Sequence, residues 1–113
     1  MCRAIFVLAI APTEEAARRL RAFSGSEAQV IAKAHDLIEV KQAATDLTFD
    51  AAVIDGRTKE SREIIETLRS TKPDAAIIWI GESAPAGTSA SVNPERVADD
   101  LPNAILRAIS QGR

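Results

Sequence analysis

Four short apolar runs, each followed by a segment with helical spacing, constrain this chain more than any other feature. The runs are residues 4–11, 29–32, 49–56 and 75–80. Continuous apolar runs of this length are typical of strands that are covered on both faces, and such strands occur mainly in parallel sheets. The alternation therefore predicts an α/β fold, with a parallel sheet and helices on both of its faces.

The segments between the runs carry helix signals. Thr13 is a candidate cap for a first helix with acids in its first turn. Asp36 is the candidate N-cap of a second helix. We predict a third helix over residues 59–69 and a last helix that is capped by residues 99–102. The residues expected to face the core of these helices are Ala16, Ala17, Leu20, Phe23, Leu37, Val40, Ala44, Leu47, Ile64, Ile65, Leu68, Ile105, Leu106 and Ile109.

The stretch that follows the fourth run differs in composition. Residues 82–91 read ESAPAGTSAS, which is rich in Pro, Gly and Ser and has no helical period. Residues 90–98 leave room for a short fifth strand. We therefore expect a loop rather than a helix between strands four and five.

Length and charge bound the class of protein. A chain of 113 residues predicts a single domain over residues 1–113, and 14 basic against 16 acidic residues give a net charge of −2. This balance disfavours a nucleic-acid partner. The single Cys2 excludes a disulfide framework within the chain and favours a cytoplasmic location, and no apolar run approaches the roughly 20 residues needed to span a bilayer. We therefore expect no membrane association.

In order and spacing of elements, the chain resembles a response-regulator receiver domain of two-component signalling. The resemblance depends most on residues 49–55, FDAAVID, which match the strand leading into the family's phosphoacceptor aspartate. Pro12 and the last helix, residues 101–109, also match. The resemblance implies a flavodoxin-like, five-stranded parallel sheet, and it puts Asp55 at the phosphoacceptor position.

The sequence departs from the family at the positions that carry its chemistry. Where the family has an acidic pair that holds magnesium, this chain has Ala9, Ile10 and Ala11. Gly81 stands at the family's Thr or Ser position, with Ser83 two residues late. The family's Lys after strand five is missing, since no Lys follows residue 72. The resemblance and the loop composition together predict that the fourth helix is reduced or absent.

These departures favour a stand-alone, degenerate receiver-like module that acts through protein–protein interaction, without magnesium-dependent phosphorylation, enzymatic activity or a cofactor. The expected partner is a sensor kinase or another signalling protein, and a homodimer stays open. The alternative is a functional phosphoacceptor that a partner histidine kinase modifies at Asp55. In the first interpretation Asp55 is a relic or a turn residue, and Arg57 replaces the metal's charge by an ion pair. The pocket around Asp55 is expected to include Ala9, Ile10, Ala11, Gly56, Arg57, Gly81 and Ser83.

Three further features of the sequence are His35, Trp79 and residues 9–12. His35, the single histidine, is expected to be a surface residue at a helix start. Trp79 either fills volume left by a reduced helix or marks an exposed contact. A nucleotide-binding domain is disfavoured, because residues 9–12 read AIAP where a glycine-rich phosphate loop is needed.

Overall fold

The computed structural model describes residues 5–23 and 28–111. Its five strands form one sheet in the order β2-β1-β3-β4-β5, and every neighbouring pair is parallel. The strands are β1 (Ile5–Ile10), β2 (Ala28–Ala34), β3 (Ala51–Asp55), β4 (Ala76–Ile80) and β5 (Ala90–Val92). The helices are α1 (Glu14–Phe23), α2 (Leu37–Asp46), α3 (Ser61–Thr71) and α4 (Val97–Gln111). The predicted parallel α/β sheet is confirmed, and so is a short fifth strand.

Two separate hydrophobic layers cover the sheet. On one face, Ala51 and Val53 of β3 pack in a cluster with residues of α1 and α4. On the other face, Ala52 and Ile54 pack with residues of α2 and α3. Because successive side chains of a strand point to opposite faces, a strand between two helical layers must be apolar throughout. All residues of β3 and β4 are buried, which explains why their sequences form continuous apolar runs.

Side-chain caps fix where two of the helices begin. The Asp36 carboxylate accepts a hydrogen bond from the Glu39 amide at 2.8 Å, which confirms Asp36 as an N-cap. The Glu39 carboxylate in turn accepts from the His35 amide at 2.8 Å. The Thr13 hydroxyl accepts from the Ala16 amide at 3.1 Å at the start of α1. These bonds satisfy amides that have no partner within their helix.

The start of the last helix differs from the prediction. It begins at Val97, directly after a short 3-10 helix that is formed by Pro94–Arg96 and capped by Asn93. Pro102, expected at the cap, lies inside the helix. A proline there removes one backbone hydrogen bond, but Asn93 followed by Pro94 is a stronger start signal. Burial of the apolar face further stabilises the helix around the proline; this face includes Leu101, Ala104, Ile105 and Ala108.

The expectation for the fourth helix is corrected. Within the described residues a fourth helix, α4, is present and is not reduced, since it spans 15 residues. Its apolar spacing is regular enough to form a full helix after β5. The connection between β4 and β5, residues 81–89, contains no helix. It folds against α3, where a Cβ on Gly87 would lie 2.9 Å from Arg69 Cδ and 3.2 Å from Ile65 Cγ2.

The third helix runs over Ser61–Thr71, two residues later at each end than predicted. Glu60 precedes it with a φ of 60°, and its side chain makes no capping hydrogen bond. Cys2 lies outside the described residues. Within residues 5–23 and 28–111, no helix combines the length and apolar character needed to cross a membrane.

Candidate functional site

Asp55 is the last residue of β3, the central strand of the sheet. β1 pairs with β2 on one side and with β3 on the other, so the direction of strand order reverses between β1 and β3. In open parallel sheets, ligands bind beyond the carboxyl ends of the strands at such a reversal. The Asp55 side chain is 10% exposed, and the four residues before it are all buried. The strand therefore holds this carboxylate rigidly at the edge where sites form.

Arg57 occupies both oxygens of the Asp55 carboxylate. Oδ1 accepts from the Arg57 amide at 3.0 Å and from Arg57 Nε at 3.2 Å, while Oδ2 accepts from Nη2 at 2.9 Å. The hydrogen bond to Asp55, together with its negative charge, raises the pKa of Arg57 above its ordinary value. A fork of this kind is the strongest geometry that an arginine and a carboxylate form. The aspartate is thus paired inside its own turn.

The turn after Asp55 packs tightly against β4. The Thr58 amide donates to the Asp55 carbonyl at 2.9 Å, and the Gly56 amide donates to the Ile80 carbonyl at 2.8 Å. A Cβ on Gly56 would lie 2.6 Å from that same carbonyl oxygen. Only glycine permits so close an approach of the two backbones. The turn is therefore fixed in place, and the Asp55–Arg57 pair with it.

Trp79 fills the space beside Gly81. A Cβ on Gly81 would lie 2.6 Å from the indole Nε1 of Trp79, and one on Gly56 would lie 2.9 Å from Cζ2. The Trp79 side chain is buried, and its Nε1 has no hydrogen-bond partner within the part of the chain that the structure describes. Trp79 is therefore not an exposed contact, and it packs in the cluster with residues of α2 and α3 rather than in volume left by a reduced helix. The position where the family carries a Thr or Ser hydroxyl is closed by the indole.

The three residues at the family's metal positions lie in the core. Ala9, Ile10 and Ala11 are fully buried in the two hydrophobic clusters, and none of them lines the groove described below. Magnesium takes oxygen ligands in near-octahedral geometry. These three side chains offer no oxygen, and the Asp55 oxygens already accept from Arg57. The residues present therefore do not fit a magnesium ion.

His35 has partners that the sequence interpretation did not supply. Its Nδ1 lies 3.0 Å from the Ala11 carbonyl oxygen, and its Nε2 lies 3.2 Å from Glu14 Oε2. Lys33 pairs with the other oxygen of Glu14. The hydrogen bond from Lys33 is the largest cause that lowers the pKa of Glu14, opposed by desolvation and aided by His35. Glu14 lies 19 residues before Lys33 and 21 residues before His35, and the parallel pairing of β1 with β2 brings it beside them.

An open groove of about 630 Å³ runs along the carboxyl edge beside Asp55. Of the predicted pocket residues, Gly56, Arg57, Gly81 and Ser83 line it together with Asp55. Two walls of the groove were not predicted from the sequence. The α1 wall is formed by Ala16, Arg19, Leu20 and Phe23, and the other wall lies at Pro94 and Val97. The α1 wall could have been predicted from the apolar stripe of α1, because a helix that follows β1 packs over the end of the neighbouring strand.

No protein-family model matches the chain, and no curated protein matches its sequence. Solved structures do match. The signal receiver domain of a modulated diguanylate cyclase from Desulfovibrio desulfuricans G20 is 22% identical, with 97% of each chain covered and a TM-score of 0.81. A LuxR-family two-component response regulator from Aurantimonas sp. SI85-9A1 is 17% identical, with 96% of this chain and 87% of that chain covered and a TM-score of 0.83.

The response regulator domain of Thermotoga maritima CheB is 18% identical, with 97% of this chain and 96% of that chain covered and a TM-score of 0.77. These likenesses extend over nearly the whole chain. The chain therefore has the flavodoxin-like fold of response-regulator receiver domains.

Proposed function

We propose that this chain is a receiver-type signalling module that works by binding another protein, without magnesium-dependent phosphorylation of Asp55. The observation that carries this proposal is the Asp55–Arg57 fork, in which both carboxylate oxygens accept from one guanidinium. The buried Ala9, Ile10 and Ala11 support it, because they offer no ligands for a metal.

The physical argument concerns the nucleophile. A carboxylate that attacks a phosphoryl group needs a free oxygen, and it needs positive charge that bridges both anions. Arg57 supplies one positive charge, but it is directed at the oxygens that would attack. The nearby hydroxyl and lysine of the family have no counterpart here, since Gly81 carries no side chain and no lysine follows Lys72. We therefore expect the module to stay in one state at this site.

The proposed partner is a sensor kinase or another signalling protein, and the module itself is not an enzyme. A module that does not switch by phosphorylation must convey its signal through what it binds. Residues 81–89, which fold on α3 without a helix, give this chain a surface unlike that of a receiver with a helix there.

A second candidate is a working phosphoacceptor that a histidine kinase modifies at Asp55. One observation favours it: Asp55 stands at the carboxyl end of the central strand and lines the groove, so an approaching phosphodonor would meet it there. Modification would require Arg57 to swing away first, which its 73% exposed side chain permits.

A phosphodonor assay separates the two candidates. The wild-type chain, Asp55→Asn and Arg57→Gln are incubated with phosphoramidate and magnesium, quenched rapidly and weighed intact by mass spectrometry. We expect no phosphoryl adduct on the wild-type chain. A receiver with a complete acidic pair, included as the positive control, should gain a phosphoryl adduct under the same conditions. An adduct on the wild-type chain that is lost in Asp55→Asn would overturn the proposal in favour of the second candidate.

A further inference from the structure

We propose that the groove beside Asp55 binds a small carboxylate that carries an apolar body, such as an aryl or branched alkyl group. This inference goes beyond the proposed function, because it assigns a ligand to the chain in addition to a protein partner. It follows from three features of the groove: a held guanidinium with unused donors, an apolar wall, and a charge balance that suits a single negative charge.

The first feature is the state of Arg57. A guanidinium has five N–H donors in a rigid plane. The fork to Asp55 uses Nε and Nη2, so Nη1 and the second hydrogen of Nη2 keep three N–H groups for another acceptor. The Arg57 side chain is 73% exposed and lines the groove. Because Asp55 already holds the side chain in one orientation, less conformational freedom is lost when an anion binds to it.

The second feature is the apolar lining of the groove. Leu20 and Phe23 of α1 and Val97 of α4 line the groove together with Ile80 and Trp79 of β4. A volume of about 630 Å³ lies within the roughly 300–1,000 Å³ that is usual for small-molecule sites. Such sites combine a mainly apolar lining with a few placed polar groups, which is the composition found here.

The third feature is charge. Among residues 5–23 and 28–111, the charged side chains that line the groove are Arg19 and Arg57, and against them Asp55 and Glu82. Asp55 is paired with Arg57, which leaves Arg19 and the outer edge of Arg57 to attract an anion. Glu82 repels a doubly charged ligand more strongly than a singly charged one. Residues 9–12 (AIAP) also lack the glycine-rich loop that cradles phosphates. A carboxylate, planar and singly charged, can pair with a guanidinium edge through two parallel hydrogen bonds.

Trp79 is the only tryptophan of the chain and forms part of the groove wall, so it reports on binding directly. The test follows its indole N–H resonance by ¹⁵N NMR during titration with phenylacetate. Phenylacetamide and phenethylamine, which have the same ring with no charge or a positive charge, serve as ligand controls. We expect a saturable shift with phenylacetate, and binding that is at least about tenfold weaker for both controls, because a charged hydrogen bond is lost.

Two variants complete the test. Arg57→Gln is expected to weaken phenylacetate binding about tenfold or more, whereas Arg107→Gln, on α4 and outside the groove, leaves it unchanged. Equal binding of phenylacetate and phenylacetamide, or no shift with any of the three, would overturn the inference. So would an indole shift that inorganic phosphate produces at lower concentration, or one that follows protein concentration without ligand, which indicates a second copy in the groove. None of these outcomes depends on the phosphodonor assay.

Discussion

The guanidinium of Arg57 donates to both carboxylate oxygens of Asp55, with Nε 3.2 Å from Oδ1 and Nη2 2.9 Å from Oδ2. The two residues are separated by Gly56 alone, so the contact is local and forms whenever the turn forms. It brings a positive charge to the aspartate without any acidic residue on β1. The pair therefore places a positive charge at this carboxylate inside a single turn.

We predict that this pair matters little for stability. The Arg57 side chain is 73% exposed, so solvent screens its attraction to Asp55 and can replace its hydrogen bonds. Arg57→Gln should therefore change the free energy of unfolding in urea by less than about 1 kcal/mol. Arg62→Gln, on the exposed face of α3, is the matched control. A much larger loss in Arg57→Gln alone would mean that the pair is a structural element of the turn.

The contact between Trp79 and Gly81 predicts a coupled pair of substitutions. Gly81→Thr brings a side chain to within 2.6 Å of the indole and should destabilise the fold by about 1–3 kcal/mol. Trp79→Leu should cost about 2–4 kcal/mol through the cavity that it leaves. In the double variant the threonine occupies part of that cavity. The loss of unfolding free energy in the double variant should therefore be at least about 1 kcal/mol smaller than the sum of the two single losses. Chemical denaturation of the four proteins measures this coupling.

Ser83→Thr is the control for that cycle, because Ser83 is exposed and lies two residues after Gly81. It should lie within about 0.5 kcal/mol of wild type. Strict additivity of the Gly81 and Trp79 costs would show that the indole does not close this position.

Glu14 should make the fold sensitive to acid. Its pKa lies below the ordinary value of 4.5, mainly because Lys33 donates a hydrogen bond to it. A carboxyl group whose pKa is lowered in the folded state adds stability above its unfolded pKa, and that stability is lost as pH falls through the folded pKa. Lys33→Gln should therefore be less stable than wild type at pH 6, and the difference should shrink below pH 4.5.

NMR titration of the Glu14 side-chain carboxyl checks the same point residue by residue. Its midpoint should move upward in Lys33→Gln and stay in place in Lys59→Gln, which removes an exposed lysine that lies between β3 and α3. A Glu14 titration midpoint that is the same in the wild-type chain and in Lys33→Gln would contradict the pairing.

Glu60 predicts a stabilising substitution. Its φ of 60° lies in the left-handed region, which costs a residue with a Cβ about 1 kcal/mol. Glu60→Gly should therefore raise the free energy of unfolding by up to about 1 kcal/mol. Glu63→Gly, one turn later inside α3, should lower it by about 1 kcal/mol. If both variants lose stability equally, Glu60 is not strained.

The order of strands and helices could be predicted from the sequence because strands that are buried on both faces have continuous apolar sequences. β3 and β4 are apolar at every core position, and α1 and α3 keep their apolar residues on one stripe. The predicted start of α4 at residues 99–102 was wrong, because Asp99 is also a good cap although Asn93 followed by Pro94 is the stronger start signal. The fourth helix of the chain was expected to be reduced, whereas the helix-poor composition lies in residues 81–89 alone.

At the site, contacts between residues close in sequence were easier to foresee than contacts between distant ones. Arg57 was paired with Asp55 on proximity, and the structure has that pair. The Lys33–Glu14–His35 cluster depends on the alignment of β2 beside β1, which no local pattern encodes. The sequence does not show that Trp79 closes the Gly81 position. This contact depends on the orientation of the indole beside Gly56 and Gly81, which are distant in the sequence.

We propose that Asp55, held by Arg57 and lacking acidic neighbours on β1, does not take part in magnesium-dependent chemistry. Magnesium titration of the ¹⁵N-labelled chain, read at the backbone amides of Asp55, Gly56 and Arg57, tests this most directly. We predict no saturable shift of these amides at millimolar magnesium, with Arg57→Gln as the companion variant in which the carboxylate is released. A saturable shift in the wild-type chain that disappears in Asp55→Asn would contradict the claim.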